Sequence, residues 1–102
     1  MAFPYRLNPQ AHEEYIEAYA WYEEKQPGLG NRFMNSVETR LQLISEHPEY
    51  FGKRKHNRFR EAKVEYFPFM IVYEFFKQKE IIHIAAIYHS SRRPGSKYRR
   101  MK

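Results

Sequence analysis

Phe69-Met70-Ile71-Val72-Tyr73-Glu74-Phe75-Phe76, then Lys77-Gln78-Lys79-Glu80, then Ile81-Ile82-His83-Ile84-Ala85-Ala86-Ile87-Tyr88: this stretch decides the fold. Two runs rich in β-branched and aromatic residues flank four polar ones, the pattern of two strands joined by a turn. The second run is apolar on both sides except at His83. A strand covered on both faces loses its alternation, so this one belongs inside a sheet. Working outward, Arg58 to Tyr66 reads as a further strand before the hairpin, and Phe3 to Leu7 as a short first strand.

Between these strands the period changes. Asn8-Pro9 reads as a helix start, because Asn caps free amides and Pro is tolerated at the first helical position. Ala11, Tyr15, Ala18 and Tyr22 then recur along one helical face, widened by Ile16 and Tyr19. Glu13, Glu14, Glu17, Glu23 and Glu24 give that helix an acidic outer side. Lys25-Gln26-Pro27-Gly28 ends it, and a second stripe follows at once: Leu29, Phe33, Val37, Leu41 and Ile44, stopping at His47-Pro48. So short a connection requires an antiparallel helical hairpin. The expected fold class is α+β: an N-terminal strand and a helical hairpin packed on a mostly antiparallel sheet, in the order β-α-α-β-β-β, with a basic C-terminal tail. Residues 1–102 read as a single domain.

Aromatic residues make up 18% of the chain, which lets a small domain bury much area with few side chains. Helical and strand spacing assigns Tyr15, Tyr19, Trp21, Tyr22, Phe33, Phe69, Tyr73, Phe75 and Phe76 to the core, and leaves Tyr88 and Tyr98 as surface candidates. The chain has no cysteine, which excludes disulfides and thiolate metal sites and agrees with a reducing compartment. No apolar run approaches the ~20 residues of a membrane span. The N-terminus lacks the pattern of a signal peptide, so the expected location is the cytoplasm. With no HExxH motif, no clustered carboxylates and no Gly-rich phosphate loop, neither a metal nor a cofactor is expected.

Charge is distributed unevenly. The net charge is +6, and the segment from His89 to Lys102 carries it all, in Arg92, Arg93, Lys97, Arg99, Arg100 and Lys102. A second basic stretch holds Lys53, Arg54, Lys55, Arg58, Arg60 and Lys63 against one acid, Glu61. Together these form a candidate surface for a phosphate backbone or an acidic partner. If the strand begins at Arg58, then Arg58 and Arg60 share a face. The bland alternative is a solvated edge strand whose cations block aggregation.

Arg92 and Tyr98, backed by His89, Arg93 and Lys97, form the candidate catalytic set. Metal-free RNA cleavage needs a base for the ribose 2′-hydroxyl, cations for the phosphorane charge and an acid for the leaving oxygen. Arg pairs bidentately with phosphate, His titrates near neutrality, and Tyr stacks or donates a proton.

Four stretches carry a resemblance: Ala18-Tyr19-Ala20-Trp21-Tyr22-Glu23, Pro27-Gly28-Leu29-Gly30-Asn31-Arg32-Phe33, Phe67-Pro68-Phe69-Met70-Ile71-Val72-Tyr73, and Ile84-Ala85-Ala86-Ile87-Tyr88-His89-Ser90-Ser91-Arg92-Arg93-Pro94. In this order they resemble the RelE/ParE superfamily of type II toxins, in its ParE-like or plasmid-stabilisation branch. The resemblance implies a small cytoplasmic growth inhibitor, neutralised by a cognate antitoxin that wraps an acidic, amphipathic segment around it. RelE-type members cut mRNA on the ribosome without a metal; ParE-type members poison DNA gyrase and are not nucleases. Arg92 and Tyr98 match the RelE-type arginine and downstream tyrosine, and His89 is catalytic only on that reading. Lys53, Lys55 and Lys63 are candidates for the family's lysines, and Arg58 and Arg60 for its early arginine. The long helical hairpin, the aromatic-Pro-aromatic entry to the strand and the Tyr-His-Ser-Ser-Arg-Arg-Pro ending look more ParE-like. The expected activity is therefore gyrase inhibition. The alternatives are a ribosome-dependent endoribonuclease, or a non-toxic relative that only binds antitoxin or nucleic acid.

Overall fold

The computed structural model describes residues 2–53 and 58–91. The elements follow the expected order: β1 (Tyr5–Leu7), α1 (Pro9–Lys25), α2 (Leu29–Glu46), β2 (Arg60–Lys63), β3 (Phe69–Phe76) and β4 (Ile81–His89). Asn8 starts α1 as its capping residue, its Oδ1 accepting the Ala11 N–H at 2.7 Å, with Pro9 in the first turn. Gly28 turns the chain into α2 with φ of 91°, a left-handed conformation that suits glycine. The Glu23 carboxylate accepts the Gly28 and Gly30 N–H groups, both at 2.9 Å, so the start of α2 is held by α1. The helices approach so closely there that a Cβ on Gly30 would lie 2.8 Å from the Tyr19 carbonyl oxygen.

The strands form one sheet in the order β1-β4-β3-β2. β1 runs parallel to β4, and the other two pairings are antiparallel. β4 is thus interior, as its two-sided apolar pattern requires. β2 is shorter than expected: it starts at Arg60, not Arg58, and ends at Lys63. The register slips between Val72 and Tyr73, which face Ala86 and Ile84, so Ala85 is an extra residue in β4. Ile82 and Ile84 face the helices before this bulge, and Ile87 and His89 face them after it.

The helix-covered face holds the main core: Ala11 and Ala18 of α1, Phe33, Val37, Leu41 and Ile44 of α2, and Ile71, Tyr73, Ile82, Ile84 and Ile87 of the sheet. Phe33 is its hub, with ring centroids of Phe69, Tyr22, Phe67 and Tyr15 at 4.9, 5.1, 5.3 and 6.0 Å. The buried Tyr73 hydroxyl donates to the Pro48 carbonyl at 2.7 Å, and burial pushes its pKa up to about 12. Tyr15 donates to Glu38 at 2.7 Å; burial, and then this carboxylate, push its pKa upward. The opposite face carries a smaller cluster of Phe59, Val72, Ala85, Ala86 and Tyr88, with Met70 beside it.

Several side chains depart from the sequence expectation. Ile16, Trp21 and Phe76 are exposed, not core. Tyr88 is buried on the second face and is no surface ring. Glu14 is buried instead of lying on the acidic outer side. Among the described residues, no helix is long and apolar enough to cross a membrane.

Candidate functional site

The strand pleat sorts the basic residues. Lys63 lies opposite Met70 and shares the helix-free face with it. Arg58 precedes β2; its Nε donates to Glu74 at 3.0 Å and its guanidinium lies 4.7 Å from the Phe59 ring centroid, which sets it on the same face. Arg60 takes the other direction. Its guanidinium donates to the Phe51 and Glu49 carbonyls at 2.5 and 3.3 Å, tying down the loop after α2. The expectation that Arg58 and Arg60 share a face fails because the strand begins two residues late. Lys53 is exposed and bridges to Arg60 as an antiparallel backbone pair. Arg54 and Lys55 lie outside the described residues, as do Arg92, Arg93, Lys97, Tyr98, Arg99 and Arg100.

His89 stands apart from this cation face. It pairs with Phe69 in the register and packs edge-on to that ring at 5.3 Å, while Lys63 and Tyr88 point the opposite way. Its Nδ1 accepts the Ser91 N–H at 3.1 Å and lies 2.7 Å from the Ser91 Oγ. The structure therefore brings Arg58 and Lys63 to one face and leaves Arg60 and His89 on the other.

On the helix side, His89 lines a groove of about 510 Å³ with Glu17, Trp21, Tyr22 and Phe69. The groove exists because β1 is short. It pairs with β4 at Ile82–Ile84, so beyond the bulge the β4 edge has no neighbouring strand among the described residues. Glu14 takes over there: its Oε1 accepts the buried Ile87 N–H at 3.0 Å. Sequence reasoning missed this contact. The available signal was spacing, since Glu14 lies three residues after Ala11 and four before Ala18, the two small residues that bring α1 onto the sheet.

The sequence profile described as ParE toxin of type II toxin-antitoxin system, parDE, matches residues 5–94. The chain belongs to that family. The ParE-type fold is also seen in solved structures. The chromosomal ParDE system from P. aeruginosa superimposes with a TM-score of 0.72 at 13% identity, covering 86% of this chain and 96% of the other. A free E. coli RelE toxin carrying two arginine-to-alanine changes gives 0.71 at 16% identity, covering 97% and 93%. The RelBE2 toxin-antitoxin complex from Mycobacterium tuberculosis gives 0.63 at 15% identity, covering 87% and 99%. At these identities the likeness shows the shared fold alone. No curated protein matches the chain. This ParE-family chain is thus a toxin of a type II toxin-antitoxin system, of the ParE/RelE superfamily.

Proposed function

We propose that this toxin arrests growth by ParE-type inhibition of DNA gyrase, and that a cognate antitoxin holds it inactive. The observation that carries the reading is the match to the ParE toxin family across residues 5–94. The orientation of His89 supports it. A general acid or base for RNA cleavage must reach the phosphate that the cations hold, whereas His89 turns to Phe69 and the Trp21 groove, away from Lys63. On this reading Lys53, Arg54, Lys55, Arg58, Lys63 and the tail cations Arg93, Lys97, Arg99 and Arg100 bind the target electrostatically, and no residue is catalytic. Arg60 instead holds the loop after α2. The net charge of +6 suits an acidic antitoxin segment, and the groove beside Trp21 suits its apolar side chains.

The test is a short induction in bacteria lacking the antitoxin, followed by primer extension on a well-translated mRNA and an assay of the DNA-damage response. Growth arrest with a damage response and intact mRNA is the expected result. Cleavage within reading frames that stops when translation is blocked overturns it in favour of a ribosome-dependent nuclease, and turns attention to Arg92 and Tyr98. Neither effect means a relative that only binds.

A further inference from the structure

The helix-free face carries a second recess, at the end of the sheet remote from Lys63. Arg6, Phe76, Lys79, Ile81, Ile82 and His83 line it, and it encloses about 210 Å³. The pleat explains how these residues meet. Tyr5 and Leu7 pack into the helix-covered core, so Arg6 between them faces the other way. Arg6 stands beside His83 in the parallel register, and Phe76 stands opposite Ile81. The β3–β4 turn divides its charges between the two sides. Lys77 and Glu80 line a different cavity with Glu46 and Glu49, and Lys77 pairs with Glu49 at 3.7 Å. Lys79 alone of the turn's charges lines the recess.

Among the described residues no carboxylate lines this site. The one across the register from His83 is Glu74, and Arg58 engages it at 3.0 Å. Arg6 and Lys79 have no ion-pair partner among the described residues. A protective edge cation accounts for Arg6 on the short edge strand β1. It does not account for Phe76, a large ring 39% exposed beside two unpaired cations. A ring in water next to free cations is the arrangement that captures a flat base carrying a phosphate, because every base has a face to stack and every phosphate accepts from Arg and Lys.

We propose that this recess binds a nucleoside phosphate. The base stacks on Phe76, the phosphate bridges Arg6 and Lys79, and a His83 ring nitrogen donates a further hydrogen bond. At about 210 Å³ the recess lies below the about 300–1,000 Å³ of sites that enclose drug-sized ligands, so a single nucleotide unit covers it and is only partly enclosed. That unit is a free nucleotide or one residue of a single strand. The proposal does not depend on which target arrests growth.

The experiment uses the full-length chain, ¹⁵N-labelled, titrated separately with AMP, with an oligo(A) tetranucleotide and with inorganic phosphate. Backbone amide shifts at Arg6, Phe76, Lys79 and His83 are expected with AMP. Arg6→Ala and Lys79→Ala each weaken AMP by about tenfold, as does Phe76→Ala, while Phe76→Tyr keeps the ring and the affinity. Phe76→Ala leaves inorganic phosphate unchanged. Tighter binding of the tetranucleotide with the same four shifts identifies a strand as the source, and equal affinity identifies the free nucleotide. All three side chains are exposed, and unchanged spectra elsewhere verify the fold of each variant. Shifts confined to Lys53, Arg58, Lys63 or the tail, or affinities indifferent to these substitutions, overturn the proposal.

Discussion

The two faces of the sheet are made by the same strands and yet built to different rules. The helix-covered face is filled with large side chains, Phe33, Leu41, Ile71, Tyr73, Ile82, Ile84 and Ile87, and the Tyr73 hydroxyl and the Ile87 N–H are partnered there. The other face buries a small patch around Val72 and Ala86 and surrounds it with polar and charged side chains: Arg6, His83, Glu74, Arg58 and Lys63. Hydrophobic burial is what stabilises a small domain, so the first face answers for the fold. The second is free to vary its charges, because ion pairs at a surface contribute little to stability.

The sharpest way to break this contrast is Phe33→Ala. Removing the ring against which four others pack should cost about 3–5 kcal/mol, a large share of the about 5–15 kcal/mol typical of a domain. Denaturant unfolding reads it, and a loss below about 1 kcal/mol would mean that the hub is elsewhere. Next comes Glu14→Ala, which strands the Ile87 N–H in a buried site and should cost about 1–3 kcal/mol. Glu14→Gln keeps an acceptor and should recover most of that. Equal urea midpoints for the two variants would remove Glu14 from the sheet edge.

Tyr73→Phe is milder, at about 1 kcal/mol for one hydrogen bond, and it carries a pH signature. The phenol's pKa rises from 10.0 to about 12 on folding, mainly through burial. The unfolded chain therefore releases this proton first. Stability is whole below pH 10 and falls as pH rises through about 12. In Tyr73→Phe that alkaline decline should be shallower; an unchanged slope would assign it to other groups. The smallest effect belongs to the charged face. Arg58→Ala breaks the 3.0 Å pair with Glu74 and should shift stability by about 0.5 kcal/mol or less. A loss above about 2 kcal/mol would mean that this face also supports the fold.

The same division governs what could be read from the sequence. The β3–β4 hairpin and the helix stripes were legible because burial imposes a period on apolar residues, and Phe33, Val37, Leu41 and Ile44 keep theirs without interruption. Glu14 was not, because a carboxylate among four other glutamates of one helix gives no hint that a backbone amide waits for it. Trp21 and Phe76 were expected in the core and face water instead, because Trp21 borders the groove beside His89 and Phe76 lies on the sheet face that the helices leave open. The separation of Arg58 from Arg60 depended on where pairing starts, which cation spacing does not encode. The tail residues Arg92, Arg93, Lys97, Tyr98, Arg99 and Arg100 were legible only as charge and resemblance.

The parallel pairing of β1 with β4 has a consequence for how the toxin comes into being. β1 cannot pair with β4 until residues 81–89 have been made, and Glu14 waits for an amide 73 residues downstream. The helical hairpin likewise has no sheet to cover until then. Such non-local closure slows folding. A fold closed this way gains its helix-covered core and its charged face together, once β4 has joined β1 and β3.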